Sequence, residues 1–375
     1  MKIPVSKPFV GQLEVEYTTK AVMDSAISGI YGSYLDEFES EFASFCGTKY
    51  AVTCSNGTTA LHLGMAAAGI MPGDEVLVST LTNMATFFAV LYLGAKPIPI
   101  DIDPDTLTLN PDKLKEKITS KTRGIMVVHL FGHPTDMDPV TKIAKEYNLL
   151  VFEDCAEAHG AEYKGRKVGS LGSVGCFSFF ANKIITTGEG GMITTDNESI
   201  ANKARSLKNL AFGATNRFMH DTVGFNYRMT NVQAALGCAQ MKNVSHLVEK
   251  RIKIAEFYNN ELSNFDNFLI LPKQKSWAKN VIWMYLVRLK GELSCKRELI
   301  TSKLRAEGVD TRDGFIPFNL QEIFINDGSV KAEDCPHANL VSSTSFYLPT
   351  SAVITDKELQ YVADTFKHIL GNVLK

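Results

Sequence analysis

The chain has 375 residues, of which 45% are hydrophobic and 21% are charged, a composition typical of a globular protein with a large core. Its 39 basic and 41 acidic residues give a formal net charge of −2, which argues against nucleic-acid binding because such proteins usually carry a basic excess. No apolar run reaches the roughly 18 residues that a membrane span requires, and no signal peptide is evident. The seven scattered cysteines then predict a reduced, cytoplasmic chain without disulfides and without membrane contact.

Short apolar runs alternate with longer amphipathic stretches over the first two-thirds of the chain. The predicted strands are residues 50–54, 75–79, 96–101, 124–130, 149–154, 176–179 and 192–195. The predicted helices between them are residues 58–68, 83–93, 111–118, 139–146 and 200–210. This alternation predicts an α/β fold whose mostly parallel sheet carries helices on both faces.

The character of the sequence changes after residue 239. A long charged helix is predicted over 242–262, a strand over 282–289 and two further helices over 297–307 and 356–374. We therefore predict a large domain over residues 1–245, which includes the N-terminal segment, and a smaller C-terminal α+β domain over residues 246–375.

Residues 54–61 follow a predicted strand and open a predicted helix. Gly57 lets the backbone approach a ligand closely, and the free amides of a first helical turn attract an anion. Thr58 can add a hydroxyl donor. The segment therefore predicts a phosphate-binding turn or, alternatively, an ordinary helix cap in which Asn56 or Thr58 satisfies the free amides. It lacks the glycine spacing of a P-loop and of a dinucleotide-binding turn.

A second segment places the carboxylates of Glu153 and Asp154 at the end of an apolar strand, where open α/β sheets bind their ligands. A partly buried aspartate there needs a cation or a proton donor, and a protonated pyridine nitrogen would supply one. The alternative is a helix-capping aspartate, with Glu157 and His159 on a solvated face.

A third segment places Lys183 between an apolar strand and the glycine-rich turn 188–191. A lysine in an apolar site loses its charge more easily, and its neutral amine can form a Schiff base. The alternative is a surface lysine whose stem lies along a hairpin. In a fourth segment, Asn226 and Arg228 precede a helix of small residues that suits close packing between subunits, or Arg228 forms a structural ion pair. Together the four segments supply the groups that pyridoxal phosphate (PLP) requires.

The order of these motifs resembles that of the DegT/StrS-type nucleotide-sugar aminotransferases, and within them most of all the perosamine synthase group. The likeness covers about residues 3–370 and is strongest between 50 and 240. It rests on Ser-Asn-Gly-Thr at 55–58, Glu-Asp-x-Ala-Glu-Ala at 153–158, Ser-Phe-x-x-x-Lys with Gly-Glu-Gly-Gly at 178–191, and Gly-x-Asn-x-Arg-Met-Thr at 224–230.

The resemblance implies PLP fold type I, the aspartate aminotransferase-like fold, with a mixed, mostly parallel sheet. It also implies a homodimer with shared active sites, L-glutamate as the amino donor and a keto sugar, usually nucleotide-linked, as the acceptor. Lys183 would form the Schiff base with the cofactor and move the substrate proton. Asp154 would keep the pyridine nitrogen protonated, and Glu157 would lie near the ring hydroxyl or the substrate amine.

The resemblance also implies the residues that bind the cofactor phosphate. Gly57, Thr58 and Ser178 would bind it from one subunit, and Asn226 would reach it from the partner subunit. Arg228 is a weaker candidate for holding a carboxylate or a phosphate.

The chain departs from the family pattern at three places. Asn83 stands where relatives usually place an aromatic residue that stacks on the cofactor ring. We therefore expect either that Met84 or another residue covers the ring or that the site is rearranged. Residues 27–30 and 316–319 replace a Trp-Ile-Ser-Ser run and a His-Pro-x-His element that lie around the acceptor pocket in the family. Two classes of acceptor are therefore compatible with the sequence: a nucleotide-linked 4-keto-6-deoxyhexose, or another nucleotide-linked or phosphorylated ketone.

Three other functions are compatible with parts of the pattern. A PLP-dependent sugar dehydratase is disfavoured because such relatives carry histidine in place of Lys183. A non-catalytic regulator of the same fold is disfavoured by the charge balance, and a dehydrogenase by the missing Gly-x-Gly-x-x-Gly. No metal site is expected, because His129, His133 and His159 lack a metal-binding spacing. Trp283 is predicted to lie in the core of the small domain.

Overall fold

The structure is a computed structural model that describes residues 2–213 and 215–375. The described α-helices are α1 Gln12–Met23, α2 Tyr34–Cys46, α3 Gly57–Ala68, α4 Ala85–Leu91, α5 Met137–Tyr147, α6 Glu198–Lys208, α7 Asn231–Glu261, α8 Arg297–Ala306, α9 Glu322–Asn326, α10 Pro336–Thr344 and α11 Asp356–Val373. The described strands are β1 Tyr50–Cys54, β2 Glu75–Ser79, β3 Lys96–Ile100, β4 Thr122–Val128, β5 Leu150–Asp154, β6 Glu162–Tyr163, β7 Arg166–Lys167, β8 Val174–Ser178, β9 Gly191–Thr195, β10 Leu269–Ile270, β11 Ala278–Lys279, β12 Tyr285–Leu289, β13 Arg312–Asp313 and β14 Ser345–Leu348.

Strands from the first half of the chain form a seven-stranded sheet with the order β1-β9-β8-β5-β4-β2-β3. Strand β9 runs antiparallel to both of its neighbours, and the other pairs in this sheet are parallel. Helices cover both faces, because alternate strand residues point to opposite sides. On β2, Val76 and Val78 pack in the cluster that contains α3, while Leu77 packs in the cluster that contains α5. The predicted mixed, mostly parallel α/β fold is confirmed.

A second sheet, with the order β10-β12-β14-β13, is antiparallel throughout and packs against α8 and α11. The N-terminal segment packs in the same hydrophobic cluster, where Ile3 forms an isolated bridge with Val309. Helix α7 leads from the large sheet towards this smaller one and runs without interruption through residue 245. The division of the chain into domains at that residue stays a prediction.

The structure differs from the sequence expectation at three elements. The helix predicted over 111–118 is wrong, because this stretch forms two short 3-10 turns on either side of the buried Leu114. The small-residue helix predicted after Arg228 and the charged helix predicted over 242–262 form one continuous helix, α7, which begins at Asn231 with a capping box between Thr230 and Gln233. Strand β12 begins at Tyr285 because Ile282 adopts a left-handed backbone conformation with φ +47°.

Within the described part of the chain, none of the helices combines the length and the apolar character that a transmembrane segment needs.

Candidate active site

The candidate active site lies where the carboxyl ends of β1, β5 and β8 meet at one edge of the large sheet, facing the small domain. A cavity of about 630 Å³ opens there. Six of the predicted site residues line it together: Gly57, Thr58, Asp154, Glu157, Ser178 and Lys183. Asn226 does not line this cavity; it is exposed and forms a backbone bridge with Asn209, so its expected role in a partner subunit stays a prediction.

The turn between β1 and α3 can bind an anion. Asn56 caps the helix, since its side chain accepts a hydrogen bond of 2.9 Å from the amide of Thr59. The amides of Gly57 and Thr58 have no hydrogen-bond partner among the described residues. Ser178 lies so close that a β-carbon at position 57 would meet its Cβ at 2.7 Å. Asn56 is therefore the helix cap, and two free amides remain beside a serine hydroxyl. The binding of a phosphate at this turn stays a prediction.

Asp154 is buried at the end of β5 and is held by two hydrogen bonds. The hydroxyl of Thr86 donates to its Oδ2 at 2.8 Å, and the amide of Ala156 donates to its Oδ1 at 3.1 Å. Burial raises the pKa of Asp154, although both hydrogen bonds oppose this shift. A buried carboxyl group of this kind is stabilised by a proton or a cation, and a protonated pyridine nitrogen provides both.

Lys183 and Glu157 form a buried pair on the floor of the cavity. The Nζ of Lys183 lies 3.8 Å from the Oε1 of Glu157, and the lysine side chain is only 12% exposed. Burial lowers the pKa of Lys183, and burial raises the pKa of Glu157 to about 7, while the attraction within the pair opposes both shifts. The amide of Phe131 donates to Glu157 Oε2 at 2.9 Å and so fixes the carboxyl group. The amine is therefore more easily neutral than that of an exposed lysine.

Trp283 was expected in the core of the small domain, but it also forms part of the site. Its ring centroid lies 3.9 Å from the Nζ of Lys183, and its indole nitrogen donates to the backbone oxygen of Asn182 at 2.9 Å. The sequence offers little indication of this role beyond the rarity of tryptophan, which occurs only twice in the 375 residues. Thr86, Arg312 and Tyr347 are further site residues that sequence reasoning missed, and their local sequence gives no indication of a role.

The residues that depart from the family pattern lie partly on the cavity and partly in the hydrophobic core. Asn83 lines the cavity, whereas Met84 packs against a hydrophobic core and does not. Phe318 stacks on Phe87 with ring centroids 3.9 Å apart, and the Thr80 hydroxyl donates to Asn319 at 3.0 Å. These last contacts attach the 316–319 segment to the large domain, and among the described residues of that segment none lines the cavity.

A buried network of hydrogen bonds lies beneath Asp154. Among the described residues, His129, Glu153 and Cys155 are close enough together to hold a metal ion. The two oxygens of Glu153 already contact His129 Nε2 at 2.9 Å and accept from three amides at 2.7 to 2.8 Å, those of Gly169, Leu171 and Gly172. Glu153 is therefore satisfied by the protein itself and has a structural role. The absence of a metal stays a prediction.

The donor set fits PLP. A free-amide turn beside Ser178 suits its phosphate, the buried Asp154 suits its ring nitrogen, and the easily deprotonated Lys183 suits its aldehyde. All three lie on one cavity, which is large enough for the cofactor and a substrate.

Comparisons with known proteins agree with this chemistry. The sequence model of the DegT/DnrJ/EryC1/StrS aminotransferase family matches residues 12–367. A GDP-perosamine synthase from Caulobacter vibrioides is 41% identical over 98% of both chains, and one from Escherichia coli O157:H7 is 36% identical over 99% of both. The resemblance predicted from the motifs is confirmed.

Solved structures show the same similarity. The aminotransferase from Psychrobacter cryohalolentis is 31% identical and superposes with a TM-score of 0.93 over 99% of this chain and 100% of that one. The protein Spr1654 from Streptococcus pneumoniae, solved in its PLP form, is 25% identical and superposes with a TM-score of 0.93 over 100% of both chains.

Proposed function

Because the chain belongs to the DegT/DnrJ/EryC1/StrS aminotransferase family, we propose that it transfers the amino group of L-glutamate to a nucleotide-linked 4-keto-6-deoxyhexose. It is a PLP-dependent sugar aminotransferase. The observation that supports the proposed residue roles is the position of Lys183, a buried amine with a lowered pKa on the same cavity as Asp154 and the Gly57 turn.

PLP supplies an aldehyde that captures amino groups and a ring that withdraws electrons from the attached carbon. The free amides of Gly57 and Thr58 and the hydroxyl of Ser178 would bind its phosphate, because a helix N-terminus favours an anion. Asp154 keeps the pyridine nitrogen protonated, and Thr86 holds the Asp154 carboxylate in place through its 2.8 Å hydrogen bond. These groups orient the ring before any substrate enters.

Lys183 then has two tasks. Its amine would hold the cofactor covalently, and the same amine, when free, would serve as the base that accepts and returns a substrate proton. The carboxyl group of Glu157 lies 3.8 Å from the Nζ of Lys183, and burial raises its pKa to about 7, so Glu157 can itself hold a proton near neutral pH beside this amine. The ring of Trp283 lies over this nitrogen and shields it from water.

We further propose that two copies of the chain share their active sites, with Asn226 of each subunit reaching the phosphate in the other. The exposure of Asn226 and its absence from the lining of its own cavity are compatible with this role. Cysteine usage supports a cytoplasmic location, because all seven thiols are free and six of them are buried.

The acceptor is proposed from the relatives named GDP-perosamine synthase, which are 35 to 41% identical over nearly the whole chain. That name identifies GDP as the nucleotide to test first. A different nucleotide-linked or phosphorylated ketone is the alternative within the same reaction.

The proposal is tested by supplying the holoenzyme with L-glutamate labelled with ¹⁵N in its amino group and with GDP-4-keto-6-deoxymannose, then with the dTDP-linked 4-keto-6-deoxyglucose. We expect ¹⁵N at carbon 4 of one sugar, detected by mass spectrometry and NMR, with no release of ammonia. The matched control is Lys183→Ala, which keeps the cavity but removes the amine. Release of ammonia without an amino sugar would identify a dehydratase, and no transfer to any nucleotide-linked or phosphorylated ketone would refute the proposal.

A further inference from the structure

Two polar groups on the small-domain side of the cavity have no partner within the described protein. The hydroxyl of Tyr347 is buried, with the whole residue only 4% exposed, and it makes no hydrogen bond. Arg312 is exposed and makes neither an ion pair nor a hydrogen bond with a described residue. Both residues line the cavity that also holds Lys183.

These two residues are direct neighbours. Strands β13 and β14 are antiparallel, and their register places Arg312 opposite Tyr347. Directly opposed residues of an antiparallel pair project from the same face of the sheet, with β-carbons about 5 Å apart. Arg312 and Tyr347 can therefore contact the same group of a bound molecule. We refer to this pair as the small-domain wall.

The missing partners require an explanation. Buried hydroxyl groups in proteins are nearly always hydrogen-bonded, because leaving one unpaired is costly. Arg312 has an acidic neighbour in Asp313, but the carboxylate of Asp313 lies 3.6 Å from Arg297 instead. The Tyr347 hydroxyl and the Arg312 guanidinium therefore both lack a partner among the described residues, and they lie on neighbouring strands in the lining of one cavity.

The charges around the cavity indicate what these groups can bind. Its described lining contains two cationic side chains, those of Lys183 and Arg312, together with four carboxyl groups, those of Asp154, Glu157, Glu189 and Asp313. In the proposed function Lys183 is committed to the cofactor, so Arg312 is the cation that remains for a substrate. A guanidinium group binds carboxylate and phosphate oxygens in a bidentate manner, and a tyrosine hydroxyl donates to the same oxygens.

We propose that Arg312 and Tyr347 form a subsite for an anionic oxygen group of the substrates, separate from the phosphate-binding turn at Gly57. This inference rests on the proposed function, which supplies two sources of such a group. One is the side-chain carboxylate of the amino donor, and the other is the diphosphate of the nucleotide-linked acceptor. Arg312 provides the charge, and Tyr347 provides the hydrogen bond that positions the anion.

The test measures the binding of two unreactive probes to the holoenzyme by calorimetry. Glutarate represents the dicarboxylate skeleton of the donor, and GDP represents the diphosphate of the acceptor. We expect Arg312→Gln to weaken the binding of at least one probe by about 10- to 100-fold, and Tyr347→Phe to weaken the same probe by about 3- to 10-fold. The matched control is Arg305→Gln, which removes an exposed small-domain arginine on α8 that does not line the cavity.

The outcomes separate the two sources. Loss of glutarate binding alone assigns the wall to the donor, loss of GDP binding alone assigns it to the acceptor, and loss of both shows that the two substrates share it. Because its hydroxyl is unpaired, Tyr347→Phe should unfold at the same temperature as the wild type or higher when no probe is present. The inference is overturned if both variants bind both probes within twofold of the wild type, or if the wild type binds neither.

Failure of the proposed function would look different. An enzyme that binds a probe through the wall but transfers no amino group to any ketone would retain this subsite and lose the proposed reaction. Conversely, the variant with both wall residues replaced could transfer the amino group normally and bind both probes with unchanged affinity. That result would leave the proposed reaction standing and show that the subsite inference is wrong.

Discussion

Substitution of Gly57 by alanine tests the phosphate-binding turn directly. The added β-carbon would lie 2.7 Å from the Cβ of Ser178, 3.1 Å from its Oγ and 3.3 Å from its Cα. Ordinary contact begins near 3.4 Å, so α3 and β8 must separate locally by about 0.7 Å. The neighbour cannot simply rotate away, because the contacts are with the backbone and the first side-chain atoms of a buried strand residue.

The expected effect follows from the cost of overpacking, which is about 1–3 kcal/mol. If this cost falls on the state that binds the phosphate, Gly57→Ala weakens PLP binding by roughly 5- to 150-fold. The assay is titration of the apoenzyme with PLP, followed by cofactor absorption. Gly64→Ala is the matched control, since it crowds the same helix against Val174 and Cys176 at 3.0 and 3.2 Å, away from the cavity. An unchanged affinity in Gly57→Ala, or an equal loss in Gly64→Ala, would refute the reasoning.

The other predictions concern the two buried carboxyl groups. Asp154→Asn should lower kcat by roughly 10²- to 10³-fold in steady-state assays, because the ring nitrogen loses its anionic partner. Thr86→Val removes a 2.8 Å hydrogen bond to that carboxylate, should raise the pKa of Asp154 further and should lower kcat by about 10-fold. Glu157 has its pKa raised from 4.5 to about 7, so the stability that it contributes is complete below 4.5 and is lost as the pH rises through 7. In urea unfolding of the apoprotein, the wild type should therefore lose up to about 3 kcal/mol relative to Glu157→Gln between pH 5 and 8.

Each of these predictions has a contradicting result. Full activity in Asp154→Asn would show that the ring nitrogen needs no anionic partner in this cavity. A Thr86→Val enzyme with wild-type kcat would show that the hydroxyl does not support Asp154. Parallel pH dependence of the unfolding free energy in the wild type and in Glu157→Gln would show that Glu157 titrates at its ordinary pKa in the apoprotein.

The large domain could be predicted from the sequence because its strands are buried on both faces. Strands β1 and β2 occupy the predicted residues, since a strand between two helix layers is a continuous apolar run with polar turns at its ends. Helix α7 was predicted as two separate helices, and Gly237 lies inside the single helix that the structure shows. In the structure a β-carbon at that position would meet the ring of Phe38 at 2.6 Å, so the glycine allows α2 to approach closely.

The site residues at the ends of strands could be predicted from the sequence. Asp154 and Ser178 end neighbouring parallel strands, and the carboxyl ends of parallel strands meet at one edge of a sheet. The small-domain side was not predictable, because Trp283, Arg312 and Tyr347 come from three distant segments. Their meeting depends on the register of β12, β13 and β14 and on how that sheet docks, and local sequence spacing specifies neither.

The most direct test of the central claim is reduction of the holoenzyme with borohydride, followed by peptide mapping. The account predicts that the visible absorption of the cofactor disappears and that a single stable adduct is found, on Lys183. An adduct on another lysine, or a cofactor that dissociates from the reduced protein without labelling it, would contradict the account.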